Sequence, residues 1–135
     1  MEVKVESKVG KLNSDCDRIY DFLSDCNNFR QFATGDKVKY WQSDCNACSF
    51  TVEGAGNVEF RIVERLPGEL IKFSIENAQA EEMFLWIQLK SVSPGDTRVK
   101  LTTKLNVNPV MKMLISKPLK NGLDKIVEML EYVCR

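Results

Sequence analysis

Residues 2 to 9 alternate strictly: Val3, Val5, Ser7 and Val9 stand against Glu2, Lys4, Glu6 and Lys8. Successive side chains on a strand point to opposite faces, so this stretch predicts a first strand with one wet face. The period then changes. Ser14 stands where a helix cap stands, Asp17 follows in the place of an acidic capping-box partner, and Ile19, Phe22 and Leu23 share one helical face. The stretch Asn27 to Thr34 predicts a second, shorter helix before Gly35, with Phe29 and Phe32 facing inward.

From residue 37 to 107 the period is two, and turn residues recur at hairpin intervals. The pattern predicts strands near 37 to 43, 47 to 54, 57 to 66, 70 to 76, 82 to 91 and 97 to 107. Turns fall at Asp44 to Asn46, Gly54 to Gly56, Pro67-Gly68, Asn77 to Ala80 and Pro94 to Asp96. With the first strand this makes a seven-stranded antiparallel sheet. In the last strand Val99, Leu101, Thr103, Leu105 and Val107 alternate with Lys100, Thr102, Lys104 and Asn106, so the sheet has an apolar inside. Gly54-Ala55-Gly56 lies between strands and opens no helix, so it is a turn or bulge and not a phosphate cradle.

Helical spacing returns at the C-terminal end. Met111, Leu114, Ile115, Pro118, Leu119, Gly122, Ile126, Met129, Leu130 and Val133 occupy one broad arc, opposite Lys117, Lys120, Asp124, Glu128 and Glu131. Such a helix needs an apolar partner surface, and the inner face of the sheet is the large one available. Pro118 lacks an amide donor and should bend or break the helix near its start.

Composition narrows the picture. The 135 residues are 44% hydrophobic and 28% charged, which is ordinary for one globular domain spanning 1 to 135. Nineteen Lys and Arg balance nineteen Asp and Glu, so no basic field favours nucleic acid. No window approaches the length of a membrane span, and stable membrane insertion is not expected. Lys112, Lys117, Lys120 and Lys125 give the final helix a mild positive bias, read as a solvated face. The five cysteines, Cys16, Cys26, Cys45, Cys48 and Cys134, are an odd number without a secretion signal, which fits reduced thiols in a cytoplasm. Cys45 and Cys48 form a Cys-x-x-Cys pair across a turn. The chain has no histidine and no second such pair, so the four ligands of structural zinc are not assembled and no metal is expected.

The order strand, two short helices, six strands and a long final helix resembles the START-like superfamily, also called SRPBCC or helix-grip proteins. Four stretches carry the resemblance: "DRIYDFLSDCNNF" at 17 to 29, "FRIVERLPGELIKF" at 60 to 73, "LWIQL" at 85 to 89 and "KPLKNGLDKIVEML" at 117 to 130. The last two resemble a bacterial subgroup of unassigned function. The resemblance implies an α+β helix-grip fold, with a curved sheet around the last helix and an apolar cavity for lipids, isoprenoids or polyketide-like molecules. No cofactor is expected. The chain departs from the better-known branches: no histidine can serve as general acid or base, and no Trp-Pro pair follows the first helix.

The pleat places candidate ligand-binding side chains at Tyr40, Gln42, Phe50, Phe60, Phe73, Leu85, Ile87, Leu101 and Thr103, faced by Met111, Ile115, Leu119 and Ile126. The same residues could simply pack as core. Tyr40, Gln42 and Thr103 are the polar members that would orient a ligand, and Glu64 would be the one acid or base if its strand is unbroken. Trp86, Phe84 and Trp41 share the outward phase, where an aromatic patch would serve a partner or a homodimer. Three functions are compatible with this pattern. The leading one is non-enzymatic carriage or sensing of a hydrophobic small molecule. The others are a cyclase- or dehydratase-like enzyme on a hydrophobic substrate and a protein-interaction module. No catalytic residue is assigned.

Overall fold

The computed structural model describes residues 2–33, 36–54, 56–77 and 80–134. The first alternating stretch forms two strands, β1 (Glu2–Glu6) and β2 (Gly10–Leu12). Both pair with the last strand, β8 (Asp96–Asn106). Glu6 lies opposite Thr102 and Gly10 opposite Val99, so the first stretch carries one extra residue, a bulge. Ser7 holds the bulge: its Oγ accepts from Leu101 N at 2.9 Å and its own N donates to Leu101 O at 2.8 Å. The extra residue reverses the phase. Val9, expected inside, is exposed, and Gly10 and Leu12 are buried instead.

Helix α1 spans Cys16–Leu23 and buries Ile19, Tyr20 and Leu23. Its cap is Asp15 and not Ser14. Neither residue caps with its side chain, because the Asp15 carboxylate accepts from Gly95 N at 2.7 Å in the turn that leads into β8, while Ser14 offers its carbonyl to Thr97 Oγ1 at 2.9 Å. The second short helix is a 3-10 helix, Cys26–Phe32, whose cap Asp25 accepts from Asn27 N. The expected break at Gly35 lies outside the described residues.

Strands β3 (Val38–Ser43), β4 (Ala47–Val52), β5 (Gly56–Leu66), β6 (Leu70–Asn77) and β7 (Ala80–Ser93) complete an open antiparallel sheet. Its order is β1-β8-β7-β6-β5-β4-β3, with β2 also on β8. This is the α+β helix-grip architecture. The seven strands read from the chain become eight because the bulge divides the first. Gly54, Gly68 and Gly95 adopt positive φ in the hairpin turns, which glycine tolerates without a Cβ clash. Ala55 and the turn residues 78 and 79 lie outside the described residues.

Helix α2 runs from Pro109 to Val133. Asn108 caps it by accepting from Met111 N at 2.8 Å, and Pro109 occupies the first turn, where its missing donor costs nothing. The helix continues through Pro118 without the break that was one of the two expected outcomes. Proline removes the donor that the Leu114 carbonyl would accept, but both residues are exposed, so water can satisfy that oxygen. Only the second half is seated, with Leu123, Val127 and Leu130 buried against β1, β2 and β8. Gly10 permits the close approach, since a Cβ there would stand 2.4 Å from Val127 Cγ1. The bulge is clasped to the helix: Lys8 N donates to Asp124 Oδ1 at 2.7 Å, Lys8 Nζ reaches Glu128 at 2.8 Å, and Lys11 N donates to Glu131 at 3.2 Å.

Candidate functional site

Between the sheet, the two short helices and the second half of α2 lies a cavity of about 280 Å³. Phe50, Phe60 and Phe73 project into it from β4, β5 and β6, and Leu85, Ile87 and Leu101 from β7 and β8. Leu23, Phe29 and Phe32 close it from the helices, and Ile126, Met129 and Leu130 from α2. The strand residues follow from period-two alternation, while Phe29 and Phe32 follow from three-residue spacing in a 3-10 turn.

A continuous chain of rings builds one wall. Trp41 stacks on Phe50 with centroids 5.3 Å apart and planes at 9°. Phe50 meets Phe60 at 5.8 Å, Phe60 meets Phe73 at 6.4 Å, and Phe73 meets Phe29 at 5.7 Å. Pairs of this kind contribute about 0.5–1.5 kcal/mol each beyond the area they bury. Rings that brace one another cannot also collapse into the space between them, so a gap persists beside the wall.

Trp41 is the residue that strand alternation misplaced. Lys39 faces Thr51 and Gln42 faces Ser49, so β3 holds one extra residue between them, and Tyr40 takes a φ of 58°. This bulge turns Trp41 inward and Tyr40 outward. Tyr40 is 79% exposed, Gln42 is exposed, and both border a polar depression on the outer face of the sheet. No local sequence signal marks the bulge, because Tyr40 and Trp41 are both aromatic and either could fill the inward position.

The other expected residues divide clearly. Phe50, Phe60, Phe73, Leu85, Ile87, Leu101 and Ile126 line the cavity. Thr103 is buried at 2% exposure outside its lining, with Oγ1 lacking a hydrogen-bond partner among the described residues. Met111, Ile115 and Leu119 do not reach the cavity; Met111 is exposed and the other two are half-buried. The buried side of the helix, Leu123, Val127 and Leu130, is rotated from the expected arc, which held neither Leu123 nor Val127. Glu64 is exposed, since a bulge between Ile62 and Glu64 ends the inward phase before it.

Polar chemistry in the wall is sparse. Trp41 Nε1 is buried without an acceptor among the described residues. Cys48 is the one thiol in the lining, and its side chain pairs with Cys26 of the 3-10 helix and not with Cys45. Cys26 and Cys48 are both buried, whereas Cys45 is exposed in the β3–β4 turn. The hydrogen bond to Cys48, reinforced by burial, pushes the Cys26 thiol up, so this proton is held. Arg65 fixes the turn above the pair: its guanidinium donates to Ser24 O at 2.9 Å, Cys45 O at 3.1 Å and Asn46 Oδ1 at 2.9 Å. Among the described residues no group of three or more His, Cys, Asp or Glu side chains is placed to hold a metal ion.

On the outer face Phe84 and Trp86 lie 6.1 Å apart, and Trp41 does not join them. Lys72 stands 4.5 Å over the Phe84 ring and 5.1 Å over Trp86, and Lys104 stands 5.6 Å over Trp86. The ammonium groups cap these rings by cation–π attraction and divide the apolar patch expected there.

No protein-family model matches the chain, and no curated protein matches it by sequence. Solved structures do match in fold. Norcoclaurine synthase from Thalictrum flavum, in complex with dopamine and hydroxybenzaldehyde, superposes with a TM-score of 0.75 at 12% identity, over 98% of this chain and 86% of that one. The Mll3558 protein of Rhizobium loti gives 0.70 at 16% identity, covering 98% and 96%. A protein of unknown function from Staphylococcus aureus gives 0.68 at 11% identity, covering 96% and 89%. The chain has the fold of the START-like, or SRPBCC, proteins.

Proposed function

We propose that this chain binds a hydrophobic small molecule, such as a lipid, isoprenoid or polyketide-like compound, as a non-enzymatic carrier or sensor. The observation that supports this reading is the cavity itself, with a wall of stacked rings and aliphatic side chains and almost no polar atom. A volume of about 280 Å³ lies at the lower end of the range for small-molecule pockets, so the ligand is a one- or two-ring compound or a short chain. The ring-bearing ligands of the norcoclaurine synthase complex are of that size class. Trp41 Nε1–H is a donor without a partner among the described residues, and it favours a ligand with one hydrogen-bond acceptor.

The enzymatic alternative has lost the residues that motivated it, since Tyr40, Gln42 and Glu64 all face solvent. The interaction-module reading is weakened as well, with Trp41 turned inward and the remaining outer rings capped by lysines.

Displacement of a fluorescent fatty-acid probe tests the proposal, with mass spectrometry of whatever copurifies with the native protein. Trp41→Phe keeps the ring and removes the donor. It should weaken a carbonyl- or carboxyl-bearing ligand about fivefold, the worth of one neutral hydrogen bond, and leave a hydrocarbon ligand unchanged. Absence of both probe binding and a copurifying ligand would overturn the reading.

A further inference from the structure

We propose that the first three turns of α2, residues 109 to 120, dock the protein on an anionic lipid surface. This half of the helix buries no residue fully, and its contact with the core is through Leu119. Val110 is 68%, Leu114 64% and Met113 85% exposed, an unusual concentration of apolar surface for residues that no neighbour covers. At 3.6 residues per turn, Val110, Met111, Leu114, Ile115, Pro118 and Leu119 fall in one half of the circumference. Lys112, Ser116, Lys117 and Lys120 fall in the other half together with Met113, and Lys112 and Lys117 stand at its two edges. An apolar face edged by lysines is the pattern of a helix that lies in a membrane interface, its carbon face among acyl chains and its ammonium groups at the phosphates.

Charge selects the occupant. From Thr97 to Leu123 the chain has six basic residues and no Asp or Glu. Lys100 is paired with Glu6, Arg98 with Asp96 and Lys120 with Asp124, but Lys112 and Lys117 have no acidic partner among the described residues. A second copy on this face would set the same lysines against each other in a two-fold contact, whereas anionic headgroups neutralise them. The face also continues toward the cavity, because Met111 and Ile115 share a side of the helix with Ile126 and Met129 in the cavity wall. Docking would bring that side to the membrane. The docking itself does not depend on whether the cavity holds a ligand.

Cosedimentation of the full chain with vesicles tests this, comparing phosphatidylcholine alone with phosphatidylcholine mixed with phosphatidylglycerol. Binding should be on the order of 30-fold tighter on the anionic vesicles, the contribution of two lysines near such a surface, and should fall at high salt. Lys112→Glu/Lys117→Glu should abolish the preference, and Leu114→Asp should abolish binding. Both changes are on exposed side chains, and unchanged thermal unfolding would confirm that the fold is intact. The proposal is overturned if the protein does not bind, if both vesicles bind equally, or if the variants bind like the parent. A dimer that Leu114→Asp dissociates, with no vesicle binding, would overturn it in favour of a second copy. Probe displacement measured on the same variants separates a failure of docking from a failure of the cavity.

Discussion

The two ends of the interior are built from the same alternating strands and differ in how tightly they close. At the β1–β2–β8 end, Leu12, Val99 and Val127 are all but sealed from solvent, and Gly10 lets the helix approach until no room remains for a methyl group. At the β3–β4–β5 end, Trp41, Phe50 and Phe60 are only half-buried and stand around open space. Small branched side chains interdigitate as the helix descends, whereas braced rings keep it off. Both ends are lined by apolar side chains, and the size and shape of those side chains decide where this fold is core and where it is cavity.

The largest effect should come from opening the closed end. Leu12→Ala removes a fully buried side chain from tight packing and should cost about 2–5 kcal/mol, read from the shift of a urea unfolding midpoint. A cost near zero would mean that the two ends are equally loose.

Adding volume should act with opposite sign at the two ends. Gly10→Ala forces Val127 and Val99 aside and should destabilise by about 1–3 kcal/mol. Leu85→Phe grows into the cavity and should stabilise by about 0.5–2 kcal/mol while weakening probe binding. The same sign for both would erase the distinction.

The smallest effect concerns the clasp that holds the closed end shut. The amide of Lys8, and then the ammonium of Lys120, hold the Asp124 carboxyl below its usual range. A depressed carboxyl contributes stability that is present above its unfolded pKa and is lost as pH falls through the folded value. Asp124→Asn should therefore unfold slightly more easily than the parent above about pH 5, with the difference shrinking as the solution is acidified below about pH 4. Parallel urea titrations at the two pH values check this, and a constant difference would place the contribution elsewhere.

The sequence was most informative where a period ran unbroken. Phe73, Leu85, Ile87 and Leu101 lie on strands whose alternation holds through the cavity, and all four line it as expected. It was least informative at single-residue insertions. The bulge at Ser7 reversed Val9, the bulge in β3 exchanged Tyr40 for Trp41, and the bulge before Glu64 sent that carboxylate to solvent. One extra residue inverts every side chain beyond it, yet it leaves no trace in composition and little in local pattern.

What the chain determined by itself is the set of elements and their order, because periods of two and 3.6 follow from which residues can be buried together on a strand or a helix. That was enough for the helix-grip fold. Only the tertiary structure decided which partner each side chain met. Cys48 pairs with Cys26 and not with its Cys-x-x-Cys neighbour, Trp41 enters the cavity, and the first half of the last helix buries no residue fully. These outcomes depend on register and on where the sheet ends, which are set by contacts between residues far apart in the chain.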